Sequence, residues 1–339
     1  MKYSILIPVY NRPDELSELL ESLVCQTERD FEVVVVEDGS QQPSDAVVAG
    51  YADRLSIRYL TKENGGPAKA RNFGAREAQG DYLLILDSDV VLPQGYLMAV
   101  NEELSHGPAD AFGGPDAAHP DFTPLQKAIS YSMTSFFTTG GIRGGKKKMD
   151  KFYPRSFNMG VSRPLYQQLG GFSDMRFGED IDFSIRIFKS GARCRLFPEA
   201  WVWHKRRTDL RKFFRQVHNS GIARINLYKR YPESLKLVHL LPAVFTLGVF
   251  ALVVLALVLA VFGQGCWIPL VLSPLVLYSL LVCLDSAVRN RSLRIGLLSI
   301  AAAFVQLIGY GTGFLRAWWL RCVMGRDEEL QAFRHTFYK

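Results

Sequence analysis

Two carboxylates two positions apart, Asp87 and Asp89, follow the bulky apolar run Leu83-Leu84-Ile85-Leu86. In extended chain, residues i and i+2 point the same way, roughly 6–7 Å apart, so the pair can face one site together. With no basic neighbour in sequence, such a pair suits a hard divalent cation bridged to phosphate. A polar turn after a core strand, with Asp87 or Ser88 capping the next helix, would use the same residues and stays open on this motif alone. A second acidic cluster, Glu179-Asp180-Ile181-Asp182, follows Gly178. Carboxylates are favoured at a helix N-terminus for structural reasons, but three within four residues is more than capping requires. His204 ends the apolar run Trp201-Val202-Trp203, which makes it a candidate ligand in a chain that already offers a carboxylate pair.

These groups need a frame to hold them. Ser4–Val9 reads as a buried strand broken at Pro8, and Pro13 opens a helix with Leu16, Leu19, Leu20 and Leu23 on one face. Val33–Val36 and Ile57–Leu60 read as further strands, and Asn64-Gly65-Gly66-Pro67 opens a helix that ends by Gly80. The strand Leu83–Leu86 follows, then a helix from Pro93 to about Leu104, a short strand at Ala111–Gly114 and a helix near 125–137. Gly140–Lys148 is rich in glycine and lysine and reads as a mobile loop. Beyond it come a strand at Phe157–Val161, a short helix from Pro164, a helix from Gly178, and short strands at 195–197 and 201–203. Thr208 then caps a helix whose Arg211, Lys212, Phe213, Phe214 and Arg215 suit a membrane surface. Strands alternating with helices predict an α/β domain built on a mostly parallel sheet, with ligands bound at the carboxyl ends of the strands.

The 48% hydrophobic content of the 339 residues hides two regimes. Charges are spread through residues 1–232, enough chain for a full core without disulfides. Residues 233–325 carry three apolar runs, about 237–262, 267–284 and 295–315, each long enough to cross a bilayer. Residues 326–339 form a polar tail. Arg289, Arg291 and Arg294 place the second connection on the cytoplasmic side by the positive-inside rule. Three full crossings would put the tail outside, whereas Arg316, Arg321 and Arg326 argue that it stays in. The five cysteines show no C-x-x-C pair or zinc spacing, which fits a reducing compartment. The net charge of +7 has no stretch interleaving aromatic and basic residues, so a membrane surface is the expected partner and nucleic acid is not. Met1-Lys2-Tyr3 runs directly into a strand, so no leader is expected.

Taken in order, the motifs resemble those of the family 2 glycosyltransferases, enzymes of the GT-A (Rossmann-like) fold. The resemblance runs through Pro8-Val9-Tyr10-Asn11, Glu37-Asp38-Gly39-Ser40, Gly66–Asn72 and Asp87-Ser88-Asp89. It continues through Asn158, Gly170-Gly171-Phe172, Gly178–Phe183, Arg186 and His204, and so covers about residues 3–230. It implies a GT-A catalytic domain followed by an α-helical transmembrane region. The implied reaction is the inverting, metal-dependent transfer of a sugar from a UDP- or GDP-linked donor to a lipid-linked or glycan acceptor. The implied place is the cytoplasmic face of an inner or plasma membrane, in envelope polysaccharide assembly.

The resemblance assigns the nucleotide sugar to Pro8, Tyr10, Asn11, Asp38, Arg71 and Asp87. Tyr10 would stack on the base, Asp38 would bond the base or ribose, and Arg71 would sit by the base or the phosphates. Asp89 would hold Mg²⁺ or Mn²⁺, with Asp87 on the ribose or on the metal through water and His204 completing the metal site. Asp180 would be the general base in preference to Glu179, its pKa raised by its acidic neighbours, while Asp182 would support the helix. A processive polysaccharide synthase is the nearest alternative, but Gln216-Val217-His218-Asn219-Ser220 lacks the Q-x-x-R-W pattern of such enzymes. A glycoside hydrolase also uses paired carboxylates, though it has no need of a nucleotide site.

Overall fold

The computed structural model describes residues 2–140 and 152–330. Along the chain run β1 (Tyr3–Val9), α1 (Pro13–Val24), β2 (Phe31–Asp38), α2 (Asp45–Ala49), β3 (Ile57–Lys62), α3 (Pro67–Glu77), β4 (Tyr82–Ile85), β5 (Val90–Val91), α4 (Tyr96–Ser105), β6 (Ala111–Gly113) and β7 (Asp116–Ala117). Then come α5 (Pro124–Thr134), α6 (Phe136–Thr139), β8 (Met159–Ser162), α7 (Arg163–Gln168), α8 (Glu179–Lys189), β9 (Cys194–Leu196) and β10 (Val202–His204). The helices α9 (Leu210–Arg230), α10 (Leu241–Val261), α11 (Ile268–Asn290) and α12 (Leu293–Trp318) complete the chain.

The described residues of 2–119 and 152–205 form one compact unit. Its seven-stranded sheet has the order β3-β2-β1-β4-β8-β6-β9. β3, β2, β1 and β4 run parallel, and β8 pairs antiparallel with both β4 and β6. Uniformly apolar strands fit burial on both faces: Ile5, Val33, Val35 and Leu84 pack on one side, Leu6, Val34, Val36, Leu83 and Ile85 on the other. The first face takes Leu16, Leu19, Leu20 and Leu23 of α1, and the second takes the alanines of α3 with Phe183 and Ile187 of α8. A second sheet, β5-β10-β7, lies beyond the end of β4. Neither β5, β7 nor α2 has a pattern that the sequence reading could separate from loop, since each is five residues or fewer.

The described residues of 120–140 and 206–330 form the second unit. The expected division near residue 232 therefore differs from the compact units, because α5, α6 and α9 pack with the apolar helices. The cause is the amphipathic pattern of α5 and α9: Ile129, Phe213 and Val217 close on Ile295 and Ala302 of α12, and Ile222 and Ile225 close on Phe314 and Ala317. Close approach of α9 to α12 needs glycine, since a Cβ at Gly313 would lie 2.0 Å from the His218 carbonyl oxygen. The helix α9 begins one residue later than expected, with Asp209 rather than Thr208 as its cap, accepting from the Lys212 N–H at 2.7 Å.

Three segments, Leu237–Val261, Gly265–Asn290 and Leu293–Val323, are long and apolar enough to cross a membrane. The first two are 6% and 11% buried within the protein and the third 39%, so α12 is the central helix of this unit. It also runs further than the 295–315 expected. The glycine- and lysine-rich stretch read as a mobile loop lies, from residue 141 on, outside the described residues, as do residues 331–339 of the tail.

Candidate active site

Strand β4 ends at Ile85, and Asp87-Ser88-Asp89 turns before β5, with the Val90 N–H reaching back to the Asp87 carbonyl at 3.3 Å. The two carboxylates therefore converge through a turn rather than along extended chain, as the spacing had suggested. The antiparallel pairing of β10 with β5 sets His204 opposite Val90, and the Lys205 N–H donates to the Asp89 carbonyl at 2.9 Å. This register brings one ligand atom each of Asp87, Asp89 and His204 within 4.8 Å of one another.

The His204 Nε2 lies 3.3 Å from Asp89 Oδ1, and the ring stacks on Phe157 at 4.8 Å. Its Nδ1 is buried without a hydrogen bond, the Asp116 carboxylate standing off at 3.9 Å. Two carboxylates and an imidazole with ligand atoms this close are a donor set that fits a divalent cation. Sequence reasoning missed the cation already there: Arg12 Nη1 pairs with Asp89 Oδ2 at 2.6 Å. Its signal was available, since Arg12 directly follows the Pro8–Asn11 motif of the first loop.

Arg71 is buried in α3 and joins the two acidic groups. Its Nη2 donates to Asp87 Oδ1 at 2.7 Å and its Nη1 to Glu179 Oε1 at 3.0 Å, with the Phe172 ring 5.1 Å below the guanidinium. It lies between the two carboxylate groups. Glu179 and Asp180 open α8 after Gly178, whose φ of +83° is a left-handed conformation that suits glycine. Both are buried, yet their proton affinities divide. Burial, then the Asp180 charge beside it, pushes Glu179 up to about 7, against the opposing pull of Arg71. Burial also favours the neutral form of Asp180, but the Arg155 guanidinium, with Nε 2.5 Å from Oδ2, outweighs it and holds this carboxyl below its ordinary range. The raised proton affinity expected of Asp180 thus falls on its neighbour. Arg155 carried no signal in the sequence that linked it to the pair. Asp182 pairs with Arg186 at 3.0 Å, and Arg186 donates in turn to the Leu169 and Gly171 carbonyls, a supporting arrangement.

Among the residues expected to hold the nucleotide, the structure brings the loops after β1 and β2 together. Pro8 lies in β1 beside Val36, and Tyr10 follows the strand half-buried. Asn11 has φ +52°, and its side-chain oxygen accepts from the Gln41 and Gln42 N–H groups at 2.8 and 3.1 Å. Asp38 accepts from Lys62 at 2.5 Å and from the Gly65 and Gly66 N–H groups at 2.9 and 2.7 Å, so it fixes the loop that opens α3. Glu37 accepts from the Ser44 N–H at 2.8 Å and from the Tyr59 hydroxyl at 3.0 Å.

The chain is similar to known proteins in sequence and in fold. Residues 4–170 match the family Glycosyl transferase family 2. The uncharacterized glycosyltransferase EpsJ of Bacillus subtilis is 26% identical, over 58% of this chain and 58% of its own length. Validoxylamine A glucosyltransferase of Streptomyces hygroscopicus subsp. jinggangensis is 31% identical, over 58% of this chain and 54% of its own. The chain thus spans little more than half the length of these relatives. The mannosyltransferase PcManGT from Pyrobaculum calidifontis, solved in complex with GDP-Man and Mn²⁺, is similar over 90% of this chain and 87% of its own, with a TM-score of 0.53 at 19% identity, a likeness of fold. From the mostly parallel sheet, the order of its motifs and the match itself, residues 4–170 belong to glycosyltransferase family 2 and to a domain of the GT-A fold, and three apolar helices follow it among the described residues.

Proposed function

We propose that the chain transfers a sugar, with inversion, from a UDP- or GDP-linked donor to a lipid-linked or glycan acceptor in envelope polysaccharide assembly. The observation that carries this reading is the juxtaposition of the Asp87, Asp89 and His204 ligand atoms with the Glu179–Asp180 pair, through Arg71. Asp89 and His204, with Asp87 directly or through water, would hold Mg²⁺ or Mn²⁺, which supplies charge neutralisation of the leaving nucleoside diphosphate. The similar PcManGT was solved with Mn²⁺ and a GDP-sugar, which agrees with this donor class. Tyr10 offers its ring to the base. Pro8, Asn11 and Asp38 shape the walls around it, Asn11 and Asp38 by tying the loops described above.

In the reaction the acceptor oxygen bonds to the anomeric carbon as that carbon's bond to the diphosphate oxygen breaks. The acceptor's proton passes to Asp180. For that to happen Arg155 leaves Asp180, which restores the carboxylate's basicity at the moment of transfer. A second reading assigns the base to Glu179, whose proton affinity already lies near neutral pH. The apolar helices would anchor the domain at the cytoplasmic face of the membrane as a multi-pass protein, so that the bilayer presents the acceptor.

A donor screen by calorimetry on the full chain, with and without Mn²⁺, tests this function. Metal-dependent binding of a UDP- or GDP-sugar, followed by transfer with inverted stereochemistry, is expected; full activity in EDTA would contradict it. Reporters fused after Lys236 and after Arg294 should both score cytoplasmic, and a periplasmic or lumenal score after Lys236 would reverse the orientation.

A further inference from the structure

We propose that Arg12 is a switchable counter-cation. It neutralises Asp89 before loading and moves to the donor's phosphates when metal and nucleotide bind. The inference rests on the metal-dependent reading above. Arg12 Nη1 lies 2.6 Å from Asp89 Oδ2, while the other oxygen of the same carboxylate faces His204 at 3.3 Å. The pair is largely sheltered, with 20% of the Arg12 side chain and 10% of Asp89 exposed. A divalent cation arriving at Asp89 would find a guanidinium on the same carboxylate. Arginine cannot lose its proton to relieve that repulsion, so relief comes only by moving the side chain toward an anion. The planar fork of the guanidinium matches phosphate oxygens as well as it matches a carboxylate.

The backbone around Arg12 is built to keep it there. Asn11 before it is a non-glycine residue at φ +52°, pinned by Gln41, by Gln42 and by its own N–H donating to Ser40 at 2.7 Å. Pro13 after it begins α1, and the Arg12 carbonyl accepts the Leu16 N–H at 3.1 Å. With the main chain fixed on both sides, the side chain is the part that can move. The consequence is thermodynamic coupling: a nucleotide that draws Arg12 away opens Asp89 to the metal, and by reciprocity the metal favours the nucleotide.

The test is Mn²⁺ titration of the full chain in detergent, with and without UDP or GDP, for the wild type and for Arg12→Met, Arg12→Lys and Asp89→Asn. Arg12→Met should bind Mn²⁺ alone about 2–5-fold more tightly, the range for loss of a competing ion pair. Its gain in Mn²⁺ affinity on adding the nucleotide should be smaller than the wild type's by about the same factor. Arg12→Lys, which keeps the charge and hence the pair, should fall between the two and covers the case in which Arg12→Met does not fold. Equal coupling in the wild type and both Arg12 variants, with Asp89→Asn unable to bind Mn²⁺, would overturn this proposal alone. Equal Mn²⁺ binding by the wild type and Asp89→Asn would remove the metal reading and this proposal together.

Discussion

The two acidic groups of the first unit are made of the same chemistry and are set to opposite tasks. At Asp87, Asp89 and His204 the ligand atoms converge beside an arginine that is itself partly open to solvent, and the Asp87 side chain is 30% exposed. At Glu179 and Asp180 the carboxylates are buried at a helix start, and each touches its own arginine. In the function proposed above, the first arrangement gains by admitting a cation. The second separates two proton affinities, because Arg155 stabilises charge on Asp180, and that charge in turn discourages ionisation of Glu179. Arg71 belongs to both, so the groups are divided in function while sharing one fixed charge. What a carboxylate does here is decided by its exposure and its cation, and its residue type alone does not reveal it.

The sharpest way to break this comparison is to remove one proton acceptor at a time. Asp180→Asn keeps the side chain's size and an oxygen to accept the Ile181 N–H, so folding should survive while transfer falls roughly 10²–10⁴-fold. Glu179→Gln should cost less. The reverse order, measured as kcat in a transfer assay, would move the base to Glu179 and favour the second reading.

Arg71→Met removes the shared charge and leaves Glu179 buried without its cation. Breaking one side of a buried pair is costly, and with Asp87 partly solvated we expect a loss of about 2–4 kcal/mol in chemical denaturation. Stability unchanged by this substitution would mean that the two groups are not joined through Arg71.

The smallest expected effect is on pH dependence. Glu179 has its folded pKa raised to about 7, so its contribution to stability is full below the ordinary glutamate range and is lost as pH rises through about 7. Asp180 is shifted the other way, so its contribution is lost only on acidification through the range below its ordinary pKa. Between pH 5 and 8 the wild type should therefore lose more stability than Glu179→Gln, by at most about 3 kcal/mol. Parallel melting curves for the two proteins across that window would show that burial does not hold the proton on Glu179.

Much of this was legible in the sequence because it rests on local pattern. Val33–Val36 and Leu83–Leu86 announce buried strands by composition, and the acid pairs announce themselves by spacing. The partners were not legible, because they come from distant segments. Nothing near Asp180 in sequence points to Arg155, and the register of β10 on β5, which brings His204 to Asp89, depends on two strands of three residues or fewer. Asp38 shows the same limit from the other side: its motif marks it for the nucleotide, and only the fold reveals Lys62, Gly65 and Gly66 on its oxygens. The helices α5 and α9 carried amphipathic patterns, but a pattern does not say which neighbour covers the apolar face, and here it is α12.

In the proposed function the Asp87–Asp89–His204 group binds the donor and the Glu179–Asp180 pair does the chemistry. Calorimetric titration of UDP and GDP into the full chain with Mn²⁺, for the wild type, Asp89→Asn and Asp180→Asn, tests it directly. Asp89→Asn should lose the metal-dependent part of nucleotide binding while melting like the wild type, and Asp180→Asn should bind nucleotide as the wild type does although its transfer is lost. Unchanged Mn²⁺-dependent binding in Asp89→Asn, or its loss in a folded Asp180→Asn, would contradict that division.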